Sequence, residues 1–240
     1  MKFNGVNINT LGKVSVKKER LPMVAQVLEP LETNTGLLLG HIGQEGTTFE
    51  AEVNIHARTA EEDGDTYLRL AAWAKGTGGL CRLEPTALPL KAYDAVFEEM
   101  DSPNLTNHRG TVRIRWLVTD PHPYSVMERS TTTTTQEAKV WVNGTAASWP
   151  VFEITPEGEQ QGASILVDGQ EVARYAGELP GGVKLTIDMR HEKVLLGALE
   201  ESDKMDWQHT DYTAMLAPGM RTVSCTAPGK LTVRWHDRWA

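Results

Sequence analysis

Phe49-Glu50-Ala51-Glu52-Val53-Asn54-Ile55-His56-Ala57-Arg58 alternates apolar and polar side chains over ten residues. A period of two is the spacing of an extended strand with one face buried and the other in water. Working outward, Thr111-Val112-Arg113-Ile114-Arg115-Trp116-Leu117-Val118 repeats the pattern. Shorter runs of the same kind follow at 138–142, 164–167, 183–187 and 230–235. Asp168-Gly169 lies between two such runs and is a strong hairpin signal, because both residues tolerate the positive φ of a tight turn. Gly (21) and Pro (12) punctuate the chain between β-branched clusters, so the sequence predicts a mainly β protein. One helix stands out. Asp65 is placed to cap its start and Gly76 to end it, with Tyr67, Leu70, Ala71 and Ala74 on one face and Trp73 flanking it. Residues 191–202 suit either a short helix or a strand and turn.

The chain has 240 residues, with 24 Lys+Arg against 32 Asp+Glu for a net charge of −8. At roughly 150 residues per domain this length implies one to two domains. The proline-rich Asp120-Pro121-His122-Pro123-Tyr124 and the threonine run Thr131–Thr135 mark the division. We therefore expect domains at 1–130 and 138–240, with a Thr-rich stretch at 131–137 as linker or edge strand. Residues 1–128 carry 13 basic and 17 acidic side chains, and residues 129–240 carry 11 and 15, so the charge divides evenly. This acidic balance argues against binding nucleic acid by phosphate neutralisation. No run approaches the roughly 20 apolar residues of a membrane-spanning helix, and residues 1–20 have no apolar block of the secretory type.

Candidate chemistry is sparse. The seven histidines form no HxH or HExxH ligand pair. His209-Thr210-Asp211 and His236-Asp237 place a carboxylate near an imidazole, which suits a structural role. Glu61-Glu62-Asp63-Gly64-Asp65 resembles a calcium loop at first sight, but Leu70 stands where the closing Glu belongs. Gly76-Thr77-Gly78-Gly79 follows a helix, whereas a phosphate-binding glycine loop opens one. Cys81 and Cys225 read as two buried thiols, with a disulfide between them left open. No nucleophile motif and no convergent carboxylate pair points to an enzyme, and nothing calls for a cofactor or a metal. Of the seven tryptophans, Trp116 falls on the apolar face of its strand and Trp141 on a polar one. Trp149, Trp207 and Trp239 lie in turn-rich surroundings and are the candidates for an interface.

A series of motifs in order gives the chain a resemblance. Phe3-Asn4-Gly5-Val6 opens it, followed by the 49–58 strand and the 67–75 helix with Trp73. Leu83-Glu84-Pro85, Lys91-Ala92-Tyr93-Asp94-Ala95 and Gly110-Thr111-Val112 lead to Asp120-Pro121-His122-Pro123-Tyr124. Asn143-Gly144-Thr145 precedes Trp149-Pro150-Val151-Phe152-Glu153-Ile154, and Gly182 to Asp188 and Leu216-Ala217-Pro218-Gly219-Met220 come before a final strand ending Arg234-Trp235-His236-Asp237-Arg238-Trp239. The succession resembles the distal tail proteins (Dit) of long-tailed, non-contractile phages, a siphovirus tail-component family. Val183 and Met220 depart from the family's usual Asp and Asn.

The resemblance implies two β-sandwich-like domains: an N-terminal ring-forming one with a short helix, and a C-terminal galectin-like sandwich. It implies a structural, non-enzymatic hub at the distal end of the tail in the virion, assembled in the host cytoplasm. Six copies would form a ring of about 160 kDa. That ring would join the major tail-tube protein to a tail-associated baseplate protein. Whether receptor-binding proteins also attach is left open. DNA would pass through the ring without specific binding, and no membrane is involved. A ring made from one repeated contact needs two different patches per subunit, and the turn-rich segment 1–48 is expected to supply one. The alternative from another class is a carbohydrate-binding β-sandwich module whose exposed tryptophans stack on glycans during attachment to the host cell wall.

Overall fold

The structure, a computed structural model, describes residues 1–22, 26–33, 36–44, 47–106 and 108–240, with the backbone alone at 26–33, 36–44 and 104–106. The chain forms two compact units, Met1–Pro123 with Ala240, and Tyr124–Trp239.

The first unit contains β1 (Lys2–Phe3), β2 (Val6–Asn7), β3 (Val14–Arg20), β4 (Gln26–Thr33), β5 (Gly36–Gln44), β6 (Thr47–His56), α1 (Ala60–Lys75), β7 (Cys81–Glu84), β8 (Lys91–Met100), β9 (Asn104–Thr106) and β10 (Arg109–Val118). Its main sheet runs β2-β1-β7-β8-β10-β6-β3, with β9 beside β10, and β4 and β5 pair separately as a hairpin. The alternation read in the sequence sets the register of the two long strands. Phe49 pairs with Trp116, Ala51 with Ile114 and Val53 with Val112, and all six are fully buried. The intervening pairs, Glu50 with Arg115 and Glu52 with Arg113, occupy the opposite face. There Glu50 also meets Arg20 and Arg113 at 3.5 and 3.6 Å, and Glu52 meets Lys17 at 3.2 Å. At the β3 edge, the Glu19 carboxylate accepts from the N–H groups of Thr86 and Ala87. This ties that edge to the β7–β8 connection.

The helix begins earlier than its sequence suggests. Thr59, not Asp65, is the cap: its hydroxyl accepts from the Glu62 N–H, while the Glu62 carboxylate accepts from the Arg58 N–H. This is a near variant of the reciprocal capping box. Glu61, Glu62 and Asp63 thus form the first helical turn, where the dipole favours acidic groups, and not a loop. Leu70, Trp73 and Ala74 face the sheet. The Trp116 indole donates to the Ala74 carbonyl at 3.0 Å, satisfying one of the acceptors left open at a helix end. Phe3, Trp73, Trp116 and Phe49 form a continuous aromatic cluster with centroids 5.6–6.1 Å apart. At Gly76 φ is +56°, and a Cβ would lie 2.8 Å from the Phe3 ring, so glycine is required twice over.

The second unit contains β11 (Tyr124–Ser125), β12 (Arg129–Thr133), β13 (Glu137–Val142), β14 (Pro150–Pro156), β15 (Ala163–Val167), β16 (Gln170–Tyr175), β17 (Leu185–Asp188), β18 (Lys193–Leu196), β19 (Leu199–Glu200), β20 (Gly219–Cys225) and β21 (Gly229–Trp235). Two antiparallel sheets, β12-β21-β14-β17-β18-β19 and β13-β20-β15-β16, enclose one core that includes Val140, Phe152, Ile154, Ile165, Ile187, Val223, Leu231 and Val233. Asp168 and Gly169 both have positive φ, 51° and 86°, as the expected type I′ turn requires. The ambiguous 191–202 segment is the β18–β19 hairpin, turning at Gly197 with φ 60°.

The threonine stretch differs from a linker. Thr131–Thr133 pair with β21 as the edge of a sheet, and the Thr132 and Thr232 hydroxyls lie 2.9 Å apart. Thr133 and Thr135 then close the turn into β13. The compact units divide at Pro123, before this stretch. Threonine's β-branched backbone preference is enough for a largely exposed edge strand, which needs no apolar inner face.

Candidate interaction surface

Two motifs that carry the resemblance meet in space. The Asp237 carboxylate is 1% exposed and accepts from the Arg129 guanidinium (2.5 Å), the Asn143 N–H (2.9 Å) and the Trp235 indole (3.1 Å). Beside it, the Arg238 guanidinium donates to the Ala147 carbonyl at 2.6 Å and lies 4.1 Å above the Trp149 ring. Arg190 approaches the same ring at 5.4 Å and Tyr124 at 5.5 Å. Gly144 runs so close to the Arg238 backbone that a Cβ would come within 1.8 Å of its carbonyl oxygen. The Asn143-Gly144 turn and the final Asp237-Arg238 are one structural unit, so the site holds a charge pair that ties strands together.

The three interface candidates sit in different settings. Trp149 is half-buried, with the Arg238 guanidinium stacked on its ring. Trp239 is half-buried at the end of the chain. Trp207 is 58% exposed and meets Tyr212 at 5.6 Å between ring centroids. A second exposed pair adds to these: Trp141, 55% exposed, lies directly opposite Met220, 53% exposed, on the outer face of the four-stranded sheet. The polar neighbours of Trp141 in β13 signalled its exposure. Met220 could be placed beside it only once the register of β13 and β20 was known. Of the segment 1–48, residues 23–25, 34–35 and 45–46 lie outside the described residues.

The imidazole partners differ from the ones adjacent in sequence. His209 pairs with Asp206 at 2.7 Å, not with Asp211, and His236 bonds the Ser125 carbonyl, not the neighbouring Asp237. A turn closes the first of these, and a return of the chain the second; adjacency in sequence decides neither. Both cysteines are buried free thiols, and burial pushes Cys225 up to about 11. Among the described residues no three His, Cys, Asp or Glu side chains are grouped to hold a metal ion, and no helix is long and apolar enough to cross a membrane. The described site thus presents aromatic and charged groups on a β scaffold.

Known proteins resemble this chain in part of its sequence and in its fold. Residues 143–239, which contain both the Asn143-Gly144 turn and the Asp237-Arg238 pair, match the family described as "Siphovirus-type tail component, C-terminal domain". The whole chain has the fold of the crystallised Dit protein of phage SPP1, described as a paradigm of the hub adsorption apparatus in phages infecting Gram-positive hosts. That match has 14% identity, a TM-score of 0.79, and covers 100% of this chain and 98% of the other. Two structures of the phage p2 baseplate in its activated conformation, with Ca and with Sr, match at 11% and 12% identity with TM-scores of 0.58 and 0.60, each covering 95% of this chain and 91% of that one. No curated protein sequence matches. The resemblance to distal tail proteins is therefore found in the sequence of the C-terminal unit and in the fold of the entire chain.

Proposed function

We propose that this chain is a structural distal tail protein, a hub that closes into a ring of six copies and joins the tail tube to the tail-tip baseplate. The observation that carries the reading is the coverage of the fold match: both units align, over 100% of this chain and 98% of the SPP1 protein. A protein sharing only one β-sandwich would align over half its length. The first unit would form the ring and the second would face tail-tip partners. This division follows the resemblance, and the family match over 143–239 supports it. A tail-associated baseplate protein is the partner below the ring and the major tail protein the partner above it. Receptor-binding proteins are further candidates for the second unit. The role needs no catalysis.

Light scattering on the purified chain, alone and mixed with the tail-tube protein of the same phage, tests this. A species of about 160 kDa, six times the 26.5 kDa chain, is the expected result. A strict monomer in both conditions would refute the ring.

A further inference from the structure

Trp207 is the most exposed of the seven tryptophans, yet the loop that presents it is firmly held. The segment 204–211 covers the edge of β16 through a succession of bonds. Ala176 N–H donates to the Lys204 carbonyl (2.9 Å), Asp206 N–H to the Arg174 carbonyl (2.9 Å) and Asp211 N–H to the Val172 carbonyl (3.0 Å). The Arg174 N–H donates to the Thr210 hydroxyl (3.1 Å). Within the loop, Asp206 accepts from the Gln208 N–H at 3.1 Å and pairs with His209. Tyr212 supports the Trp207 ring from one side. The side chain is thus presented without the ordering cost that a mobile loop would carry on binding.

The polar groups linked to Asp206, its neighbour in the chain, are equally fixed. Arg174 is gripped by both Glu171 oxygens at 2.8 and 2.7 Å and lies 3.9 Å from Asp206. The Arg174 guanidinium holds the Glu171 carboxyl below the ordinary carboxylate range. Two carboxylates against one guanidinium leave no positive excess to attract an anionic polymer.

We infer that Trp207, on the loop whose Asp206 joins His209, Arg174 and Glu171 in one charged cluster, is a binding platform for a neutral pyranose of a host-surface glycan. An indole is a flat apolar surface with a polar edge, and the axial C–H face of a pyranose is its complement. Planar carboxylate and guanidinium groups at the rim match pairs of neighbouring hydroxyls, one accepting and one donating. The other tryptophans lack the combination. Trp149 is stacked beneath Arg238, while Trp141 lies against Met220 and donates its indole N–H to Asn143 at 3.4 Å. The site lies within one copy of the second unit, so the inference does not depend on the ring.

The full-length protein is titrated with neutral oligosaccharides containing glucose, galactose, rhamnose or N-acetylglucosamine, and with poly(glycerol phosphate) for comparison. Binding is read by calorimetry and by the indole N–H resonances in NMR. Weak, millimolar binding of at least one neutral oligosaccharide is expected, shifting the Trp207 resonance. Trp207→Ala should weaken it at least tenfold and Trp207→Phe less, while Trp141→Ala leaves it unchanged; circular dichroism checks that each variant is folded. The inference is overturned by absence of binding to every neutral oligosaccharide, by binding of poly(glycerol phosphate) alone, by undiminished binding in Trp207→Ala, or by equal loss in Trp141→Ala.

Discussion

At the scale of single residues, close approaches outweigh composition. Gly144 has no room for a methyl group, because the backbone of Arg238 occupies its Cβ position, whereas Gly169 faces open space and needs only its positive φ. Gly144→Ala should therefore cost about 3 kcal/mol, as overpacking a fixed backbone does, and Gly169→Ala about 1 kcal/mol. Urea unfolding would measure both, and equal losses would show that the approach is not limiting. Asp168 supplies a pH test. Its carboxylate accepts from the Thr222 N–H at 2.8 Å and from Arg221 at 3.1 Å, which holds its pKa below the ordinary value. A carboxylate with a depressed folded pKa stabilises the fold above the unfolded pKa, and that contribution is lost as pH falls from there through the lower, folded pKa. Stability should thus decline below about pH 4, and less so in Asp168→Asn, which keeps a residue suited to the turn. Identical acid profiles for the two proteins would remove Asp168 from the explanation. The buried cysteines should resist thiol-specific alkylation in the native protein and react in urea.

Among the elements, the strands were the most legible and the helix boundary the least. β6 and β10 follow from alternation alone, because a strand buried on one face must repeat every second residue. The 168–169 hairpin was equally local. Apolar spacing places the start of α1 too late, because Gly64 and the acidic run interrupt it and the true cap, Thr59, lies outside it. Thr59→Ala should cost about 1 kcal/mol, read as a fall in the urea midpoint; no change would mean that the Glu62–Arg58 bond suffices without it. The threonine run shows the opposite limit. Its propensity for a strand is intrinsic, but its place at a sheet edge is set by Val233, Thr232 and Leu231, about a hundred residues further along.

For the whole molecule, the two cores share no residue. Differential scanning calorimetry should resolve a transition belonging to the second unit that Gly144→Ala lowers, while one belonging to the first is unmoved. A single transition displaced as a whole would show that the units unfold together. The mainly β fold class was readable in the sequence, since alternation and turn chemistry are local signals. So were the ordered motifs that match a tail component. Which of the turn-region tryptophans is presented to solvent was not readable. Trp149 and Trp207 both lie in turn-rich sequence, and only the tertiary structure stacks Arg238 on one and leaves the other outside. The reason is physical: exposure depends on what packs against a side chain, and the group that covers Trp149 comes from the last residues of the chain.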